Sequence, residues 1–178
     1  KKVMMLTKAV LDDPVIRSRL EGVGVLTREQ AIAYSVTGPT ARPSGVDIDV
    51  RRDDPHCAYD RVPWDVIVFN EGDVLAKTKA RLFEMMESTK IIRACLKDLP
   101  EGPIETRVDE VPPGEGIGRT EAPRGEVFHY IRSDGTNRPL RHKVRAPSFM
   151  NIASNVVAVK GGSIADAALT LAAVDPCY

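Results

Sequence analysis

One long segment, residues 72–100, shows the clearest helical periodicity in the sequence and limits the folds that this chain can adopt. Its large apolar residues recur at spacings that place them on one helical face, and its charged residues fall elsewhere. The apolar set is Leu75, Leu82, Met86, Ile92, Leu96 and Leu99, and the charged set is Lys77, Arg81, Glu84 and Lys90. Pro100 and Gly102 follow and end the pattern. The sequence therefore predicts one long helix whose methionines, together with Cys95, pack in the core.

Shorter helices are predicted on both sides of this segment. Residues 1–20 have helical apolar spacing that is interrupted before Pro14, which can occupy the first turn of a second helix. Thr27 begins a capping-box pattern that precedes a short helix over residues 31–35. A second capping box begins residues 163–174, which we expect to form a small apolar helix.

Strand-like alternation appears only in the last third of the chain. Residues 126–133 and 140–145 alternate around Asp134-Gly135, a dipeptide typical of hairpin turns. Pro139 would restrict the second of these strands to a sheet edge or to its own first position. We therefore predict an α+β fold, in which a long helix and several short helices pack with a small antiparallel hairpin or sheet. Residues 1–178 are expected to form a single domain.

Two segments rich in proline and glycine, residues 38–64 and 101–118, are predicted to be loops. A loop as long as the first is uncommon inside a compact domain, and such loops tend to be functional or to lie against a partner. Glycines 114, 116 and 118 resemble a phosphate-binding loop. Because no strand clearly precedes them and no helix follows, they fail the structural context that such a loop requires.

Composition excludes several classes of function. Lys and Arg together number 25, as do Asp and Glu, and this balance argues against nucleic acid as a partner. No apolar run approaches the roughly 18 residues that a membrane-spanning helix needs. The three cysteines are too few and too widely spaced for a disulfide framework, which suggests a reducing, cytosolic compartment. The sequence begins with Lys1 and ends with Tyr178, directly after Asp-Pro-Cys, so both ends look cut.

Cys177 is the first candidate for chemistry, because it follows a predicted helix end in Asp175-Pro176-Cys177. Soft metals prefer thiolates, usually supplied in C-x-x-C pairs so that two sulfurs reach one ion. Here the second cysteine would be residue 180, so spacing alone gives only a weak metal signal. His56-Cys57 has no second ligand pair at a suitable distance, and we interpret it as part of a solvated loop.

Three further features have both a structural and a chemical interpretation. His129 shares a predicted strand face with apolar residues and is expected to be half-buried in the core. Arg124 can pair with Glu121 to fix the start of the hairpin, which we favour, or can present a cation to a buried site. Three cations, Arg141, Lys143 and Arg145, alternate onto one strand face. We favour a solvated face for them over a docking surface for an acidic subunit.

Several motifs, taken in chain order, resemble the large subunit of membrane-bound, energy-converting nickel–iron hydrogenases and its relative, the quinone-site subunit of respiratory complex I. The matching stretches are residues 22–27, 41–47, 89–92, 121–126, 133–135, 138–139, 145–149 and 175–177. From the first to the last, they span nearly all of the chain after residue 21. Their order makes the resemblance far more specific than any one of them.

The resemblance implies an iron–nickel centre held by four cysteinates, two from an N-terminal C-x-x-C and two from D-P-C-x-x-C. On this mapping Cys177 is a terminal nickel ligand, and Asp175 is the carboxylate beside it. The other three ligands are absent from these 178 residues. We therefore expect no metal centre and no catalysis in this chain alone. In the intact parent Cys177 could take a proton, and Asp175 could orient the site or pass the proton on.

The resemblance also implies partners and a location. Because this chain has no second cysteine cluster, electrons would leave through an iron–sulfur small subunit. Membrane subunits would hold the assembly on the inner, cytoplasmic face of the cell membrane, and the substrates would be H2 or protons. Complex I-type subunits lose the cysteines and bind quinone instead, so Cys177 favours the hydrogenase branch. The alternatives are a nickel-free NADH/quinone oxidoreductase subunit and a vestigial structural subunit.

Overall fold

The predicted long helix is present in the computed structural model, which describes residues 1–108 and 110–176. It is α6, Val74–Lys97, and it begins where the carboxylate of Asp73 accepts a hydrogen bond from the backbone N–H of Ala76. Its first half is buried, whereas Ile92 and Leu96 near its end are exposed. The prediction that Met85 lies in the core is wrong, because 40% of this residue is exposed.

The other elements are short. Among the described residues, the remaining helices are α1 (Lys2–Asp12), α2 (Pro14–Leu20), α3 (Arg28–Ala33), α4 (Gly38–Ala41), α5 (Val50–Asp53), α7 (Pro147–Ala153), α8 (Asn155–Ala158) and α9 (Ile164–Ala172), with a 3₁₀ turn at Arg42–Ser44. The strands are β1 (Gly114–Ala122), β2 (Gly125–Ser133) and β3 (Arg141–Arg145). The fold is α+β, as predicted. No helix of the described residues is long and apolar enough to cross a membrane.

Local capping explains where the predicted short helices begin. Asp13 separates α1 from α2, and its side chain accepts hydrogen bonds from two backbone N–H groups of the new helix. Thr27 and Gln30 cap α3 reciprocally, which confirms the predicted capping box. Ser163 caps α9 through a single bond to the N–H of Ala165, and this helix ends two residues earlier than predicted.

The sheet is antiparallel with the order β1-β2-β3. The hairpin predicted around Asp134-Gly135 is confirmed as the β2–β3 pair. The prediction of a loop over residues 101–118 is wrong from Gly114 onward, because β1 starts there and pairs along its whole length with β2. Three of the first five residues of β1 are glycines, which have low strand propensity, so the segment gave no strand signal although it pairs with the strand that follows across a two-residue turn.

The proline-rich segment 38–64 is also not the continuous loop that was predicted. Its first part forms α4, the 3₁₀ turn and α5, and Pro39 and Pro43 are among the most buried side chains of the protein. Both prolines stand in the first turns of their helices, where a missing N–H costs nothing. The segment therefore packs in the core, beside small apolar residues such as Ala41 and Val46.

A glycine–glycine contact brings this buried segment against the sheet. Gly38 has φ +63°, and a Cβ added to it would lie 2.3 Å from the Cα of Gly125. Neither backbone can retreat easily, since Gly125 begins β2 and Gly38 begins α4. Glycine at position 38 thus serves both the left-handed conformation and the close approach.

Replacing Gly38 by alanine should destabilise the protein more than the same change at Gly22. Gly22 also has a positive φ, +71°, but a Cβ there meets nothing within 4 Å. Gly22→Ala should therefore cost only the left-handed strain, about 1–2 kcal/mol. Gly38→Ala should cost about 1–3 kcal/mol more, because the methyl group must displace backbone. Urea unfolding of both variants measures the difference, and equal losses would contradict the close approach.

Lys77 departs from its predicted place on the polar side of the long helix. Only 2% of it is exposed, and its ammonium donates a 2.9 Å hydrogen bond to the backbone carbonyl of Gly24. Burial, together with the nearby charge of Arg81, lowers the pKa of Lys77 to about 8, although Asp73 opposes both effects. A charged residue on a helix normally indicates a solvent-facing position, and here the periodicity was misleading.

The lowered pKa predicts a specific pH dependence of stability. Between pH 8 and about 10 the unfolded lysine holds more protons than the folded one, so the stability contributed by Lys77 increases with pH. The unfolding free energy of wild type minus that of Lys77→Met should therefore increase with pH over this range. Lys79→Met, which retains Lys77, serves as the control. A constant difference between wild type and Lys77→Met would show that the buried ammonium does not titrate there.

Candidate functional site

Arg42 is a buried cation surrounded by carboxylates from three different elements. Only 1% of Arg42 is exposed. Its guanidinium donates to Glu84 at 2.6 Å and to Glu121 at 2.8 Å. It also lies 3.3 Å from a carboxylate oxygen of Asp49. Because Glu84 is on α6, Glu121 on β1 and Asp49 just before α5, this one side chain ties the long helix to the sheet and to the buried loop.

The local chain geometry explains why Arg42 points inward. It begins the 3₁₀ turn directly after α4, where Pro43 and the left-handed Gly45 keep the chain tightly folded. Burial works to lower the pKa of Arg42, but the three carboxylates outweigh it and raise that pKa, so the side chain stays charged. Burial raises the pKa of Glu121, against the opposing effect of Arg42.

Arg51 extends the cluster toward the surface. Its guanidinium binds both carboxylate oxygens of Asp49, at 2.9 and 2.6 Å. It also lies over the ring of Trp64, 4.6 Å from the centroid. A bidentate pair combined with an aromatic face holds a guanidinium in one orientation.

A cleft of about 500 Å³ opens beside these charges. Its lining includes Arg42, Arg51, Arg81, Glu84, Glu121 and Asp175. One N–H of Arg81 donates to the carbonyl of Lys77 at 3.2 Å, whereas its Nε and Nη2 are buried without a hydrogen-bond partner among the described residues. Burial lowers the pKa of Arg81, and nearby Asp175 opposes that effect. Arg81 therefore has N–H groups available for an oxygen atom entering the cleft.

Asp175, a predicted site residue, is held at the edge of this cleft by Arg124. The Arg124 side chain donates to the backbone carbonyl of Asp175 at 2.6 Å and to its carboxylate at 3.1 Å. Asp175 has φ +55°, an uncommon conformation for a residue with a side chain. The expected pairing of Arg124 with Glu121 is wrong, since Glu121 binds Arg42 instead. The guanidinium of Arg124 binds Asp175, a residue of the cleft lining.

Asn151 fixes the turn that carries Arg124. Fully buried on α7, it donates to the backbone carbonyl of Arg124 at 3.1 Å and accepts from the N–H of Thr37 at 2.9 Å. The turn between β1 and β2 is therefore held from one side by α7 and from the other by Gly38. Arg124 and Asp175 consequently occupy a rigid part of the fold.

The other predicted candidates lie away from the cleft or outside the described residues. Cys177 is outside them, so its place relative to Asp175 stays a prediction. No group of three or more possible metal ligands exists within residues 1–108 and 110–176. Cys57 is exposed beside His56, whose ring lies 3.1 Å from the Thr120 hydroxyl, in agreement with a loop interpretation. The cations of β3 are all exposed, as expected of a solvated face.

The sequence-based candidates omitted three residues that build this site. Arg42, Arg81 and Asn151 were not identified as chemically important. Arg42 lies inside one of the stretches on which the family resemblance rests, and that was its only signal. Arg81 and Asn151 become recognisable only once the fold brings α6, α7 and the β1–β2 turn together.

Comparison with known proteins decides the family. The sequence model described as the 49 kDa subunit of the respiratory-chain NADH dehydrogenase matches residues 1–111 and 106–178. The chain belongs to this family. The resemblance inferred from the motifs is thereby confirmed, including its relation to hydrogenases, because one of the chain's relatives is named as a hydrogenase.

Three relatives illustrate the range of the 49 kDa-subunit family. The chain is 39% identical over 166 residues to the carbon monoxide-induced hydrogenase of Rhodospirillum rubrum. It is 42% identical over 170 residues to an NADH-quinone oxidoreductase subunit of Geobacillus kaustophilus and 41% identical over 173 residues to one of Herpetosiphon aurantiacus. Each match covers 93% of this chain and 46–47% of the relative. The chain thus spans about half the length of these relatives.

Removing the buried cation should be far more harmful than removing an exposed one. Arg42→Met leaves Glu84 and Glu121 without their buried cation, while Asp49 keeps Arg51, and should cost about 3–5 kcal/mol at pH 7. Arg52→Met removes a cation that is paired with Asp47 and Asp53 but is 41% exposed, and should cost no more than about 1 kcal/mol. Denaturant unfolding measures both losses.

The same pair of variants has a pH test. Without Arg42, only the weaker attraction of Arg51 opposes the burial that raises the pKa of Glu121, so protonation relieves the unbalanced charge. The penalty of Arg42→Met should therefore shrink as the pH is lowered from 7 to 5, and that of Arg52→Met should change little. A penalty independent of pH would mean that the carboxylates find other partners.

Proposed function

We propose that this chain forms the part of an oxidoreductase subunit of the hydrogenase and complex I class that holds the Asp175–Cys177 segment at the reaction centre. The observation that carries the proposal is the double hydrogen bond from Arg124 to the carbonyl and the carboxylate of Asp175. It fixes the chain two residues before Cys177. A segment that delivers a ligand needs this kind of support from neighbouring groups.

Within this class we propose a nickel–iron hydrogenase, with Cys177 as one terminal nickel ligand in the intact protein. Support comes from the sequence Asp175-Pro176-Cys177 and from the relative named carbon monoxide-induced hydrogenase. When bound, the metal centre supplies the Lewis acid that splitting H2 requires. No group of three or more possible metal ligands exists among the described residues, so their role at the nickel–iron centre is to position the segment rather than to retain the metal.

Asp175 is suited to hold or move a proton beside that centre. Its side chain is half exposed, so its carboxylate reaches solvent in the cleft while Arg124 keeps it in place. Arg124 is itself fixed by Asn151 through its backbone carbonyl. Arg124 is therefore a positioning residue in this proposal, and Asp175 is the group that exchanges the proton.

The proposal includes partners and a location. An iron–sulfur small subunit would accept or supply the electrons, and membrane subunits would attach the assembly to the cytoplasmic face of the cell membrane. The exposed end of α6, with Ile92 and Leu96, and the cationic strand β3 are surfaces on which neighbouring subunits can pack.

A nickel-free NADH/quinone oxidoreductase subunit is the second candidate. The relatives named as NADH-quinone oxidoreductase subunits and the name of the family favour it. In that case the unpartnered N–H groups of Arg81 would face a quinone-like ligand rather than a metal centre. A vestigial structural subunit is the third candidate. It would have neither hydrogenase nor quinone reductase activity.

Metal analysis of the intact complex tests these alternatives. The complex that contains this chain, produced with its maturation machinery, should contain nickel and catalyse hydrogen–deuterium exchange. Cys177→Ala should abolish both, because it removes a proposed ligand. Cys57→Ala serves as the matched control, since Cys57 is an exposed thiol in a loop, and it should change neither.

The other possible outcomes would favour one of the other candidate functions or change the role of Cys177. A fully matured complex without nickel and without exchange activity, but with NADH-dependent quinone reduction, would replace the hydrogenase by the second candidate. A complex with neither activity would favour the structural subunit. Nickel retained in Cys177→Ala would remove Cys177 from the ligand set while leaving the class of enzyme in place.

A further inference from the structure

Two histidines on the sheet face each other through their ring nitrogens. Nδ1 of His129 on β2 lies 3.0 Å from Nε2 of His142 on β3. The ring planes differ by only 25° and the ring centres are 5.3 Å apart, so the two nitrogens lie between the rings in an edge-to-edge arrangement. One ring must therefore present a lone pair to the other, and at least one ring is neutral. Neutral imidazole nitrogens are the commonest metal ligands in proteins.

The strand next to His129 leaves open space on the same side of the sheet. Gly118 pairs directly with His129, and Gly116 pairs with Ile131, which in turn pairs with His142. A Cβ added to either glycine would meet nothing within 4 Å. Glycine inside a strand often marks a place where a ligand approaches. The glycines that resembled a phosphate loop in the sequence thus border the histidine pair instead.

The charge distribution also suits a cation. Side chains alternate along a strand, so the three basic residues of β3 point to the face opposite His142. The neighbours of the pair on its own face are Val127, Ile131 and Val144. No basic residue of β3 therefore opposes a cation at the histidine pair.

We propose that His129 and His142 form a two-histidine site for a divalent transition-metal ion, with water in the remaining coordination positions. Zinc binds imidazole nitrogen at about 2.0–2.1 Å in tetrahedral geometry, so two such nitrogens stand roughly 3.3–3.4 Å apart. The two nitrogens need to move apart by only a few tenths of an ångström from 3.0 Å, and both rings must also tilt, because the nitrogens now point at each other and not at a common ion. When the ion binds, the ring that carries its proton on the facing nitrogen moves that proton to its other nitrogen. No other covalent bond changes. This site is separate from the cleft at Asp175 and does not depend on the proposed function.

Zinc titration of the chain tests the proposal. The chain has three histidines, and its thiols are first alkylated so that sulfur cannot bind the metal. Isothermal titration with Zn²⁺ alone should show one saturable site per chain. Histidine-ring NMR spectra should show two of the three imidazoles shifting together. Loss of even an outer partner of a metal ligand costs 10–100-fold in affinity, so His129→Asn and His142→Asn should each weaken binding by at least about tenfold.

His56→Asn is the matched control and should leave the affinity unchanged, because His56 is on a loop and contacts Thr120. His142 is exposed on an edge strand, so its replacement should leave the fold intact. The NMR spectra of wild type also test the site without any replacement. The proposal is overturned if no saturable binding occurs, if binding survives replacement of both paired histidines, or if it is lost with His56→Asn.

Discussion

The buried guanidinium of Arg42 is the interaction on which the arrangement of this protein depends. Charges interact strongly away from water, and a buried ion is tolerated only when its partners have good geometry. Arg42 meets this condition with carboxylates from the start of α5, the middle of α6 and the end of β1. If any of these elements moved outward, a charge would remain unpaired in the interior. The ionic cluster therefore sets the spacing between helix and sheet more strictly than the small apolar residues around it can.

This constraint passes directly to Asp175. Glu121 is held by Arg42, and Arg124 comes three residues later, across the tight turn between β1 and β2. Asn151 and Gly38 hold the same turn from two other directions. These contacts hold the β1–β2 turn in place and so position the guanidinium of Arg124 beside Asp175. Its reach is set by the core rather than by a flexible loop, as a positioning residue requires.

The parts of the fold that could be predicted from sequence are those set by local chemistry. Asp13 and Thr27 cap helices through neighbours two or three residues away, so their patterns are readable in the chain itself. β1 was not predicted, because three of its first five residues are glycines, which have low strand propensity. Lys77 and Arg42 were equally hidden, since a charged side chain indicates solvent until its buried partners are known. Asp175 was found through its motif, but its partner Arg124 required the tertiary structure.

The same scaffold serves either proposed chemistry. The charged groups of the cluster around Arg42 pair with one another, and Arg124 binds the backbone carbonyl and the carboxylate of Asp175. Neither arrangement distinguishes a metal site from a quinone pocket. In our proposal, what separates the two activities is the residue two positions after Asp175, the thiol of Cys177. A rigid frame with one variable position at its edge can change its reaction without repacking its core. The relatives with both names, at nearly equal identity over the same 93% of the chain, fit a frame of that kind.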